Sequence, residues 1–214
     1  LDDEKGGSFS IAPRDHGEVT HKQFYWPDTN VLVTRFLSPD GVAELIDYMP
    51  VVEGGSRGPR GASDTAASDG DERQHRIVRR LSVVRGSMNF RLECRPAFDY
   101  ARVPAEVEIT DRGVLFHGPD LHLALSGEPE FRRVGSGEAA GPAGPGSSGT
   151  PAGPAGAVSD FHLQENESLT FVLHQVPEGS GCSPAIPEDE SEALFRDTVA
   201  YWRRWLSKST YRGR

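Results

Sequence analysis

The fold is decided in residues 30–49, which read NVLVTRFL, then SPDG, then VAELIDYM. Two apolar, β-branched runs stand on either side of a four-residue turn signal, the pattern of a β-hairpin. Pro39 presets the first turn angle, Asp40 can bond back to the chain, and Gly41 is expected in the left-handed position. Outward from this hairpin the same pattern continues. Residues 75–85 and 87–95 form two strand-like runs hinged at Gly86. In the second, Met88, Phe90, Leu92 and Cys94 alternate with Asn89, Arg91 and Glu93, so a period of two puts the apolar set on one face. Residues 107–110 turn at Asp111-Arg112-Gly113 into residues 114–117. Leu121, Leu123 and Leu125 alternate with His122 and Ala124, and residues 158–163 and 169–176 supply two further strands. With residues 9–11 and 23–26 the expectation is about ten to twelve short strands, which means a sandwich or barrel.

Two stretches break the pattern. Residues 135–157 read GSGEAAGPAGPGSSGTPAGPAGA, and residues 54–73 are similarly rich in Gly, Ser, Asp, Ala and Arg. Neither holds a large apolar residue able to offset the entropy of ordering the chain. The first lacks the strict glycine period of collagen. Both are expected to be disordered insertions between strands, since long surface insertions add little closure entropy. A linker between two domains is the alternative. The 24 glycines and 16 prolines in 214 residues thus concentrate where no core is built.

The C-terminal end changes character. Pro187-Glu188-Asp189-Glu190 opens a helix, with proline suited to the first turn and carboxylates meeting the positive end of the dipole. Phe195, Val199, Trp202 and Leu206 recur at helical spacing. Trp202 and Trp205 are a heavy aromatic load for a terminal helix. They either pack on the sandwich or face something beyond this chain.

Charge and composition exclude several functions. The formal net charge is −9, which argues against a nucleic-acid partner needing a basic face. No apolar run reaches the roughly 18 residues a membrane helix needs. Cys94 and Cys182 are too few for a disulfide framework and suit a reducing compartment, so a cytoplasmic location is expected. The first residue is Leu1 rather than Met, so the chain reads as a fragment or processed piece in which a signal peptide would not show.

No Walker loop, dinucleotide fingerprint, G-x-S-x-G or H-E-x-x-H motif is present. His117 and His122 flank Asp120. The spacing matches no known ligand pattern, so satisfied or exposed histidines are expected, with a metal site as the rarer alternative. Cys94 reads as a core residue. Asn166-Glu167-Ser168 is a glycosylation sequon by letter alone. Arg76, Arg79, Arg80 and Arg85 make a basic strand, expected to pair with the many acids, with phosphate or sugar contact as the alternative. Asp28, Asp47 and Asp99 each stand beside aromatic residues, as in sugar sites. By spacing alone each is first a turn-former.

At these residues a resemblance emerges. The segments GSFSIAP (7–13), YWPDTNVLVTRF (25–36), Asp40-Gly41, Asp47-Tyr48-Met49-Pro50, Val78-Arg79-Arg80 with Gly86, PAFDYAR (96–102), YWRRW (201–205) and YRGR (211–214) occur in order. Together they resemble the N-terminal domain of bacterial-type trehalases and glucoamylase-like enzymes of glycoside hydrolase family 15. The two glycine-rich stretches depart from that pattern in length. The resemblance implies a large, supersandwich-like antiparallel β-sandwich over 1–186 and a helical linker over 187–214. The linker would lead to an (α/α)6 barrel that holds both glutamates of an inverting mechanism.

On that reading this chain carries no catalytic residue, no metal and no cofactor, and is expected to be inactive alone. Its partners would be the catalytic barrel and α-glucosides such as trehalose or malto-oligosaccharides. Tyr25, Trp26, Asp28, Asn30, Asp99 and Tyr100 become candidates for the substrate edge or the barrel interface. Trp202, Trp205, Tyr211 and Arg212 become candidates for barrel docking. A free-standing carbohydrate-binding module, or a structural or interaction fragment without a sugar role, are the competing readings.

Overall fold

The structure, a computed structural model, describes residues 6–14, 17–51, 75–136 and 154–210. Among them it is mainly β, with eleven antiparallel strands and one C-terminal helix. In chain order the strands are β1 (Ser8–Arg14), β2 (Thr20–Tyr25), β3 (Leu32–Leu37), β4 (Gly41–Tyr48), β5 (Arg76–Arg95), β6 (Glu106–Thr110), β7 (Gly113–His117), β8 (His122–Ser126), β9 (Arg132–Val134), β10 (Gly156–Gln164) and β11 (Ser168–Val176). The helix α1 is Glu188–Ser207.

The two runs expected on either side of Gly86 are one strand of 20 residues, bent at that glycine. Its first half pairs with β4 and β11 in a sheet ordered β2-β3-β4-β5-β11-β8-β7-β6. Its second half pairs with β1 on one side and β10 on the other, with β9 beyond β10. One strand therefore serves both layers. Between them lies the main core. Met88, Phe90, Leu92 and Cys94 point inward from the second half, as their alternation predicts, and meet Leu45, Leu81, Phe116, Leu125 and Phe171. Phe90 stacks on Phe161 at 6.0 Å, and the Phe161 and Phe171 rings meet tilted at 5.5 Å. Burial pushes the Cys94 thiol up to about 12, so it behaves as an inert apolar side chain.

At the bend Gly86 has φ +74° and pairs with Gly41 across the ladder. Gly41 itself is not left-handed, contrary to the turn expectation. It is needed because a Cβ there would stand 2.7 Å from the Arg85 carbonyl oxygen. The turn is tied instead by Ser38, whose amide donates to the Gly41 carbonyl and whose hydroxyl accepts from the Gly41 amide.

Two other expectations need correction, and one strand was not foreseen. The segment 135–157 is not a loop throughout, because Gly156 and Ala157 open β10 and Ala157 is fully buried. Arg95, itself buried, donates to the Gly135 and Pro154 carbonyls and pairs with Glu93, so it holds both margins of that segment. The rest of it, and all of 54–73, lie outside the described residues. β9 went unseen because three residues with one buried side chain, Val134, carry no readable period. Leu121 and Leu123 are only half-buried, whereas Ala124 is buried against Leu115, Val176 and Cys182 on the far face of β8.

The outer face of the larger sheet is covered by α1. Val31, Val33, Ile46, Tyr48, Val78 and Val172 pack against Phe195 and Val199. The helix is fastened at its start. Arg80 pairs with Glu188 at 3.2 Å and Glu192 at 2.6 Å, and the Ser168 hydroxyl donates to Glu188 at 2.7 Å. Those contacts, Ser168 first, lower the Glu188 pKa. Tyr48 donates to the Ser191 carbonyl at 3.1 Å, and the Ser191 and Thr170 hydroxyls share a 2.9 Å bond. Burial pushes the Tyr48 phenol up to about 12, so it remains a donor.

On the outer face of the smaller sheet, Asp160 gathers Arg91 at 2.7 Å, Arg14 at 2.9 Å and Arg132 at 3.5 Å. The Arg91 hydrogen bonds above all, then those of Arg14, hold the Asp160 carboxyl below the usual range. A carboxylate depressed on folding stabilises above its unfolded pKa, near 4, and that contribution fades as pH falls toward the folded value. Urea midpoints of wild type and Asp160→Asn should therefore differ at pH 7 and converge as the pH is lowered from about 4. A gap that stays constant to pH 2.5 would contradict this.

Candidate functional site

The ladder register places most of the sequence candidates at one end of the sandwich. Tyr25 pairs with Leu32, Leu32 with Asp47, and Asp47 with Arg79, so the β2–β3 loop stands over the end of β4 and the start of β5. The bend in β5 returns its last residues to the same end. Phe9 pairs with Cys94, and Arg79 bridges the layers. Its guanidinium lies 4.7 Å from the Phe9 ring centroid, donates to the Phe9 carbonyl, and pairs with Asp47 at 2.8 Å. The segment after β5, containing Asp99 and Tyr100, emerges beside it. Of the arginines in the basic strand, Arg79 and Arg80 are thus engaged by acids of the chain itself.

The β2–β3 loop is built by its own polar groups. The Trp26 amide donates to the Val31 carbonyl at 2.8 Å, and the Thr29 amide and hydroxyl both donate to the Trp26 carbonyl. Asp28 adopts φ +60°, a conformation aspartate tolerates better than most residues. Asp28 is therefore a turn-former whose carboxyl is left exposed, beside exposed Asn30. Tyr25 is 65% exposed. Trp26 is turned inward, and its ring meets Phe195 of α1 edge-on at 5.2 Å. It packs as part of the second core and not as a free platform.

The segment 99–101 is unusual. Asp99, Tyr100 and Ala101 follow one another at φ +45°, +56° and +65°. Each left-handed non-glycine residue costs on the order of 1–3 kcal/mol, and such strain collects at functional sites. The turn is closed by the Arg102 amide on the Asp99 carbonyl at 3.1 Å and by a bridge between Phe98 and Val103. The side chain it displays, Tyr100, is 93% exposed.

Along α1 the contacts run from Arg80 and Ser168, through Tyr48, to Trp26. The helix is thereby aimed at the same end. Its last turns leave the sheet, and residues 203–210 are all exposed. Tyr201, Trp202 and Trp205 form an edge-to-face series at 5.5 and 5.9 Å. Trp202 is half-buried with its Nε1 proton unpaired among the described residues, and Trp205 is 53% exposed. Tyr211 and Arg212 lie outside the described residues. Met49, named in the sequence only as part of the 47–50 segment and not as a site candidate, is also exposed here. Only its place after β4, level with the loop, would have signalled it.

This end offers aromatic rings, exposed carboxylates and a helix terminus that exposes Trp205 and Leu206 among arginines. It can stack, hydrogen-bond and dock. Among the described residues no group of three His, Cys, Asp or Glu side chains comes together as a metal centre.

Two trehalases match the chain from end to end. Those of Thermoplasma acidophilum and Thermoplasma volcanium are each 25% identical to it over 224 residues, covering 100% of this chain. The chain spans 30% of the length of the first and 28% of the second. No family model matches it. The relation to trehalases is therefore weak in identity but complete in extent, and compatible with a non-catalytic domain of a glycoside hydrolase. No helix among the described residues is long and apolar enough to cross a membrane.

Proposed function

We propose that this chain is the non-catalytic β-sandwich of a trehalase-like, glucoamylase-like α-glycoside hydrolase of family 15, acting in the cytoplasm. In this reading residues 1–186 form the sandwich, and residues 187–214 lead to an (α/α)6 barrel that performs inverting hydrolysis. The observation that carries it is the end-to-end match to trehalases more than three times as long. The site is in keeping with it, since the ladder sets the Tyr25–Asn30 loop at the same end as the close of β5, which leads into the strained Tyr100 turn, and α1 runs toward that end to meet Trp26. There the barrel would dock, with the two loops edging its active-site mouth toward trehalose or malto-oligosaccharides.

The isolated chain should not hydrolyse trehalose or maltose. Glucose release followed over a day at micromolar protein would test this, and steady turnover above the buffer rate would overturn the reading. One observation favours a carbohydrate-binding module instead, namely the exposure of Tyr25 and Tyr100. Against it, Trp26 is committed to Phe195. Saturable millimolar binding of either sugar, abolished by Tyr100→Ala, would select the module.

A further inference from the structure

The β7–β8 hairpin carries a histidine pair that the function above does not use. His117 closes β7 and His122 opens β8, opposite one another in the ladder. Their Nδ1 atoms stand 3.2 Å apart, and the rings meet at 63° with centroids 5.3 Å apart. On the other side of His117, Nε2 lies 3.3 Å from a carboxylate oxygen of Glu108, on β6.

This arrangement selects tautomers. A carboxylate only accepts, so Glu108 places the neutral His117 proton on Nε2 and leaves Nδ1 as a bare lone pair. The His122 Nδ1 must then carry a proton to satisfy its neighbour. Moving that proton to the His122 Nε2 gives two lone pairs facing one gap. A divalent metal bound at the usual 2.0–2.1 Å to both nitrogens would subtend an angle of about 103° across 3.2 Å, close to tetrahedral. A carboxylate on the far nitrogen of a ligating imidazole is the outer partner that orients such ligands and raises their basicity.

We propose that His117 and His122 chelate a divalent transition metal of the zinc class through their Nδ1 atoms, with Glu108 as the outer-sphere partner of His117 and water completing the coordination. Imidazole nitrogens suit zinc, cobalt, nickel and copper, and do not suit magnesium or calcium. The site does not depend on any sugar role. It does sit where it can matter to one, because Gly118 in the connecting turn lies against Phe98, where a Cβ would stand 2.6 Å from the ring's Cδ1. Phe98 directly precedes the strained Asp99–Ala101 turn. A metal clamping this hairpin would stiffen the support of Tyr100.

The test is titration of the full chain with zinc chloride and cobalt chloride, read by calorimetry and by the cobalt visible spectrum. One equivalent should bind, with the intense visible bands of four-coordinate cobalt. His117→Ala and His122→Ala should each abolish saturable binding. Glu108→Gln should weaken it about 10- to 100-fold while keeping one equivalent. His162→Ala, which removes an imidazole paired with Asn89 on the smaller sheet, should leave it intact. Circular dichroism of each metal-free variant checks that the fold survives. Absence of saturable binding to millimolar metal in wild type would overturn the proposal. So would binding indifferent to both histidine substitutions, and an unchanged Glu108→Gln affinity would remove the outer-sphere role.

Discussion

Gly86→Val should leave little or no soluble, folded protein. Gly86 sits at the bend of the strand that both layers share, at φ +74°. A β-branched residue there meets two costs together. Left-handed backbone costs an L-residue roughly 1–3 kcal/mol, and more when the side chain is branched at Cβ. The added Cβ would also run into the Asp40 carbonyl oxygen, with Gly41 immediately behind it. The obstacle is backbone, not the end of a flexible side chain, so it can yield only by opening the Gly41–Gly86 pairing. Forced overpacking adds about 1–3 kcal/mol. Together these approach the 5–15 kcal/mol by which native domains are stable at all.

Each kcal/mol lowers the melting temperature of a domain this size by about 2–4 °C, so a fall of 10 °C or more is expected wherever soluble protein survives. Val84→Ala, two residues earlier and 53% exposed, should stay within about 0.5 kcal/mol of wild type in urea unfolding. A Gly86→Val protein melting within 2 °C of wild type would mean that β5 does not need its bend.

The bend was legible because its signals are local. Period-two burial in residues 87–95 needs only neighbouring residues, and so does a lone glycine between two strand patterns. The SPDG turn was read at the right place but with the wrong chemistry. A turn peptide can be satisfied by several side chains, and the choice of Ser38 depends on the close approach of β5 behind Gly41.

Trp26 was misleading for a related reason. With its neighbours Tyr25, Pro27 and Asp28 it reads as part of a loop open to a substrate or a barrel. The direction of its ring, however, is decided by Phe195, far along the chain on α1. The helix shows the same limit. Phe195, Val199, Trp202 and Leu206 have one period, yet only the first two are buried, together with Ser191 and Thr198. Sheet lies beneath the first half of the helix and not beneath the second. The sequence sets His117 and His122 five positions apart but in no known ligand pattern, so their contact was not readable from it. The contact comes from ladder register across a four-residue turn, joined by Glu108 from a third strand.

That division of the helix sets the last expectation, which rests on the proposed function. In the longer protein, Trp205→Glu should release the sandwich from the catalytic barrel while leaving the sandwich itself intact. Trp205 is half exposed, and among the described residues its ring contact is with Trp202, so replacing it should shift the isolated chain by no more than about 0.5 kcal/mol. At a docked interface a tryptophan anchor contributes about 2–4 kcal/mol, and a carboxylate in its place must also be desolvated. At 1.4 kcal/mol per factor of ten, docking should weaken about 30- to 1,000-fold.

Limited proteolysis near residues 207–214 should accelerate accordingly, and kcat/KM for trehalose should fall at least tenfold if the loops edge the active site. Phe195→Ala is the contrasting variant. It removes a ring buried between Trp26 and Tyr48, so it should cost about 3–5 kcal/mol in the isolated chain as well. Trp205→Glu in the longer protein with wild-type proteolysis and wild-type kcat/KM would overturn docking through this end of the sandwich. Equal destabilisation of the isolated chain by both substitutions would instead make Trp205 part of the fold.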